Sequence, residues 1–142
     1  MGSIIDQRHD IVNKVVMQRP DAVVDVTILL WERLAIELIS IIGDEGFQSL
    51  YIRTAHLNSV TFPWLQLDQP TQLSTSRFAG LHMCLEKRRL VDPVSANEAC
   101  KTLLIAFVDI LALLIGDLLT ANILRSAWID EPFDTVVKGI QK

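Results

Sequence analysis

The residues best suited to chemistry in this chain are three histidines, two cysteines and a few acids set in apolar surroundings. His82 stands two residues before Cys84. On a helix, residues i and i+2 point to different sides, so this pair cannot share a metal ion. No His-x-x-x-His or Cys-x-x-Cys spacing occurs, and the expectation is a protein without a metal or cofactor. Cys84 and Cys100 read as small buried hydrophobes in a reducing compartment, which points to a cytoplasmic location. His9 lies among charges and is expected to be exposed.

Glu32, Glu37, Asp109 and Asp117 fall within the most apolar stretches. A buried carboxylate needs a partner, and Arg33, Arg53 and Arg125 are the cations considered for it. Paired acids could perform acid–base work. Four helices each donating acids could hold two metal ions, but that architecture uses Glu-x-x-His motifs, and the sequence has none. No P-loop, dinucleotide fingerprint or Ser/His/Asp ordering appears either. The reading is therefore structural. Glu32, Arg33, Glu37, Asp109, Asp117 and Arg125 are expected to form a salt-bridge network, inside the protein or across an interface between copies.

The segment Ala55-His56-Leu57-Asn58-Ser59 resembles the phosphoacceptor segment of histidine phosphotransfer domains, which are helical bundles of similar size. The resemblance covers five residues and implies His56 as the phosphorylated side chain. That family places a Lys and a Gly shortly after the histidine. Here Asn58 and Ser59 stand in those places, and Thr61-Phe62-Pro63 ends the helix soon after. Read from the residues alone, His56 is a histidine near a helix end that helps to close the last turn.

The elements that would carry these groups are all helical. Val12, Val15 and Val16 repeat at helical spacing over residues 4–19, and Pro20 ends that helix. Asp21 can start the next, which runs apolar on most faces from 22 to 42 and so belongs at the centre of a bundle. Gly43 fits a C-terminal cap and Asp44 the following N-cap. Phe47, Leu50, Tyr51, Thr54 and Leu57 mark one face of a third helix. Residues 61–75 form an irregular stretch rich in apolar side chains, and Phe62, Trp64 and Leu65 are expected to pack it against the helices. A fourth helix spans 76–89, its last turn carrying Lys87, Arg88 and Arg89. Asp92-Pro93 breaks the chain, and Ser95 with Glu98 reads as a capping box for a fifth helix over 96–115.

Ile115-Gly116-Asp117 repeats Ile42-Gly43-Asp44, and Arg125-Ser126-Ala127 echoes Arg53-Thr54-Ala55. The similarity raises the idea of a duplicated helix pair, although helical sequences resemble one another by chance. Gly46 favours a true turn at Gly43. Leu118-Leu119 favours a continuous, kinked helix through Gly116. Residues 130–142 read as a short tail.

The expected fold is all-α, one domain over 1–142, a bundle of five to six helices with 22–42 and 96–115 at its centre. Half of the 142 residues are apolar, and the mean hydropathy is +0.33. A chain this short has limited interior volume, so part of that surface is expected to be covered by a second copy, giving a homodimer. A net charge of −4 argues against binding nucleic acid through its phosphates. No basic run leads into an apolar segment at the N-terminus, so no signal peptide is expected. Asp109 and Asp117 interrupt the one stretch apolar enough to suggest a membrane span. The functional expectation is a non-enzymatic helical interaction or regulatory module, bacterial and homo-oligomeric. Its alternatives are a phosphotransfer module using His56 and a bundle holding a small apolar ligand.

Overall fold

The computed structural model describes residues 4–65 and 78–129, which form five α-helices and no strand. The helices are α1 (Ile4–Val16), α2 (Val23–Asn58), α3 (Ala79–Val91), α4 (Pro93–Ile115) and α5 (Asp117–Leu124). A 3₁₀ turn, Pro20–Ala22, joins α1 to α2, and a π-helical turn, Arg125–Ile129, follows α5. The all-α architecture expected from the spacing of apolar residues is the one adopted. The tail at 130–142 and residues 66–75 of the irregular stretch lie outside the described residues.

Helix boundaries follow local capping chemistry, and three of them correct the sequence reading. Pro20 opens the 3₁₀ turn, and Ala22, not Asp21, occupies the N-cap position of α2. Asp92-Pro93 is the start of α4 and not merely a break. Asp92 accepts a hydrogen bond from the Ser95 amide at 3.2 Å, and Pro93 takes the first helical position, where its missing N–H costs nothing. Ser95 therefore lies inside the first turn. The third correction is at Gly116. Its torsions, φ 93° and ψ 160°, match those of Gly43, φ 84° and ψ 164°. This region is open to glycine and strained for any side chain. Both Ile-Gly-Asp steps thus interrupt helical geometry, Gly43 as a kink within α2 and Gly116 as the boundary between α4 and α5. Gly116 closes α4 by donating its N–H to the Ala112 carbonyl at 2.9 Å. Its own carbonyl opens α5 by accepting from the Thr120 amide at 3.2 Å and from the Thr120 hydroxyl at 2.7 Å. Leu118 and Leu119 favour helix by propensity, but propensity does not decide whether that helix is continuous with the one before it.

The core is built where α2, α3 and α4 meet. Trp31 lies at its centre, fully buried, with Tyr51, Phe78 and Phe107 around it at centroid distances of 5.2, 5.8 and 5.0 Å. Phe47 completes the cluster at 5.4 Å from Phe107 and 6.0 Å from Phe78. The Trp31–Tyr51, Trp31–Phe107 and Phe47–Phe78 pairs meet edge to face, a geometry that adds to the burial of area. Helix α1 adds Val12 and Val16, and the end of the described chain adds Ile123, Leu124, Ala127 and Trp128. The π-helical turn carries Trp128, whose indole N–H donates to the Leu30 carbonyl of α2 at 3.0 Å. Among the described residues, no helix is long and apolar enough to cross a membrane.

Candidate functional site

Arg8 is the residue that sequence reasoning missed. It stands four residues before Val12 and eight before Val16, so it continues the inward stripe of α1. Its side chain is 6% exposed. The guanidinium is shared between two carboxylates on different helices. One terminal nitrogen donates to Asp117 at 2.6 Å, at the start of α5, and the other donates to Asp109 at 3.2 Å, on α4. A planar fork suits such a task better than a lysine ammonium would. His9 adds a second α1 contact to Asp109, with its Nε2 at 3.0 and 3.1 Å from the two carboxylate oxygens. His9 is therefore half-buried and engaged, which corrects the expectation of an exposed side chain.

Asp109 and Asp117 come together, but the cation that grips both is Arg8, in place of the anticipated Arg33, Arg53 or Arg125. Asp117 also sits in the first turn of α5, where the helix dipole favours a negative charge. Glu32 and Arg125 are exposed. Arg33 and Glu37 line a separate small cleft of α2 with Ile36, Ser126 and Ala127.

Beside the Arg8 clamp, the α4–α5 corner presents leucines to solvent. Leu113 is 88% exposed, Leu114 65%, Leu118 79% and Leu119 42%. They occupy the last turn of α4 and the first of α5, so the Gly116 break sets their relative directions. Single exposed leucines are ordinary, and four of them flanking one glycine make a larger apolar exposure.

The other predicted residues fall elsewhere. His56 is exposed near the end of α2 and lines an open groove of about 440 Å³ with Ser49, Ile52, Arg53 and Leu57. Its backbone carbonyl accepts from the Ser59 amide and hydroxyl at 3.2 and 2.8 Å. Phe62 and Leu65 are buried and Trp64 is half-buried, so the described part of the irregular stretch does pack on the helices. Phe62 meets Trp64 edge-on at 5.8 Å, and the Arg88 guanidinium lies 5.4 Å from the Trp64 ring centre. Cys100 is buried and Cys84 half-buried, both as free thiols. Burial pushes the Cys100 thiol up to about 11 and raises the Tyr51 phenol well above its ordinary value. Both groups are thereby held neutral, as core groups.

The arrangement is a mechanical one. Three helices are tied by one buried cation, and the exposed leucines flank Gly116 next to that tie. No protein-family model matches the chain, and no curated protein or solved structure matches it either.

Proposed function

We propose that this chain is a non-enzymatic helical interaction module that pairs with a second copy of itself through the α4–α5 corner. The observation that carries the reading is the run of four exposed leucines on either side of Gly116. Their exposed portions amount to nearly three whole leucine side chains. Burying them is worth about 4–8 kcal/mol per protomer on transfer scales. Two protomers together reach the range of the entropy cost of association, roughly 4–15 kcal/mol. The dimer is accordingly expected to be concentration-dependent and not obligate. The charges beside the corner favour a protein partner over a lipid surface. Peripheral membrane helices surround their apolar face with Lys and Arg, whereas Asp117 and Asp109 stand here.

Sedimentation velocity over a range of protein concentrations tests the proposal. The wild type should shift from monomer to dimer, and Leu113→Gln with Leu118→Gln should remain monomeric while keeping its helical circular dichroism. A wild type that sediments as a monomer at every concentration would remove this reading. A second reading, a phosphotransfer module, is favoured by the exposure of His56 beside Arg53 in an open groove. Incubation with a low-molecular-weight phosphodonor should then give an acid-labile phosphate that His56→Gln lacks.

A further inference from the structure

Helix α3 carries His82 and Glu86 one helical turn apart, on the same face. Leu81 and Leu85 are buried and anchor the adjoining face of that helix in the core. Asp25, in the first turn of α2, comes up beside them. The imidazole Nε2 of His82 lies 3.4 Å from an Asp25 carboxylate oxygen. One ligand atom from each of Asp25, His82 and Glu86 lies within 4.8 Å of the other two.

We propose that Asp25, His82 and Glu86 form a binding site for a divalent transition-metal ion of the zinc type. Zinc holds nitrogen and oxygen ligands at about 2.0–2.1 Å in a tetrahedron, so neighbouring ligand atoms stand about 3.3–3.4 Å apart. The His82–Asp25 edge already has that length. Glu86 must close by no more than 1.4 Å from the widest separation, 4.8 Å against 3.4 Å, which a rotation of its flexible side chain supplies. Glu86 is at present paired with Arg89 at 2.8 and 3.2 Å on the surface. An exposed i,i+3 pair of this kind is worth little, and a dication is a stronger partner for the carboxylate than a guanidinium. Imidazole and carboxylates together suit zinc, cobalt or nickel better than they suit calcium, which takes six or more oxygens. Three protein ligands leave the fourth position open to water. The site goes beyond the sequence expectation of no metal because Asp25 lies 57 residues before His82, outside the reach of any local spacing rule.

Titration of the full chain, free of any affinity tag, with Co²⁺ and with Zn²⁺ tests the site. Co²⁺ should bind at one equivalent and give the visible absorption of a tetrahedral ion, and Zn²⁺ should displace it. Loss of outer-shell groups alone costs 10–100-fold in metal affinity, so His82→Gln and Asp25→Asn should each weaken binding by about 100-fold or more. Cys84→Ser should leave it unchanged. All three variants alter exposed or half-exposed side chains and should keep the wild-type melting temperature without metal. Absence of saturable one-equivalent binding would overturn the proposal. So would binding that survives His82→Gln, or that disappears with Cys84→Ser.

Discussion

Replacing Arg8 by Met tests whether a single buried cation holds the α1–α4–α5 corner together. Methionine keeps most of the packed stem and removes the forked head. Two charge-assisted hydrogen bonds are lost, to Asp117 and to Asp109, each nominally worth about 1.5–3 kcal/mol. Those figures must be discounted, because the Asp109 and Asp117 side chains are 37% and 48% exposed and regain water when the guanidinium leaves. A further offset comes from removing the buried Nε of Arg8, which has no hydrogen-bond partner. The net loss should be about 1.5–2.5 kcal/mol, against the 3–5 kcal/mol typical of breaking a fully buried pair. For a domain of this size that lowers the melting temperature by roughly 5–8 °C. Urea unfolding followed by circular dichroism measures the loss directly. A double-mutant cycle with Asp117→Asn should give a coupling energy of about 1 kcal/mol. Arg8→Lys should fall between wild type and Arg8→Met, since one ammonium cannot span two carboxylates on separate helices. If Arg8→Met unfolds within about 0.5 kcal/mol of wild type, a change typical of an unimportant surface position, the clamp does not hold α1 and the reasoning fails.

Ala substituted at Gly116 or Gly43 should destabilise the protein by about 1–3 kcal/mol through backbone strain alone, because an added Cβ meets nothing within 4 Å at either position. Gly80→Ala, also in open space but inside α3, should instead be neutral or stabilise by up to about 1 kcal/mol in chemical denaturation. A maleimide at neutral pH should label Cys84 in the native protein and spare Cys100, with mass spectrometry of tryptic peptides as the readout. The Cys100 thiol is raised from 9.0 to about 11 by burial, so the folded state keeps a proton that the unfolded chain releases. The corresponding stability is whole below about pH 9 and is lost as pH rises through 11; Cys100→Ala should flatten the decline of stability with pH in that interval.

Helix class, helix number and most of the core could be read from spacing because those properties are local. Val12 and Val16 announce the inward face of α1, and Phe47, Leu50, Tyr51 and Thr54 that of the second half of α2. The demand for a cation near Asp109 and Asp117 was equally legible, since acids in apolar helices must be compensated. Its donor was not. Arg8 lies 101 and 109 residues away from these acids, and arginine is a residue type that ordinarily signals surface. Only its place in the stripe with Val12 and Val16 argued the other way. Position should have outweighed type there. The capping box at Ser95 misled for a related reason. Ser95 and Glu98 match a pattern, but Asp92 followed by Pro93 meets the same need three residues earlier, and α4 starts there.

The clamp and the leucine corner adjoin one another at Asp117. Leucines on a pliant segment would fold back against the bundle and hide. Those at 113, 114, 118 and 119 stand in solvent, over a backbone tied at two points. Thr120 holds the Gly116 carbonyl through both its amide and its hydroxyl, and Arg8 anchors Asp117 and Asp109 from α1. A preformed apolar surface binds more tightly than one that must be ordered on contact, because less conformational entropy is lost. Arg8→Met should therefore weaken self-association well below its unfolding temperature, although Arg8 is buried and the variant leaves every leucine in place. Sedimentation at matched concentration gives the test. Equal dimer fractions in wild type and variant would separate the two features and leave the clamp a purely stabilising one. A lower fraction in Arg8→Met, with unchanged helical content, would show that the rigidity of the corner contributes to pairing along with its apolar area.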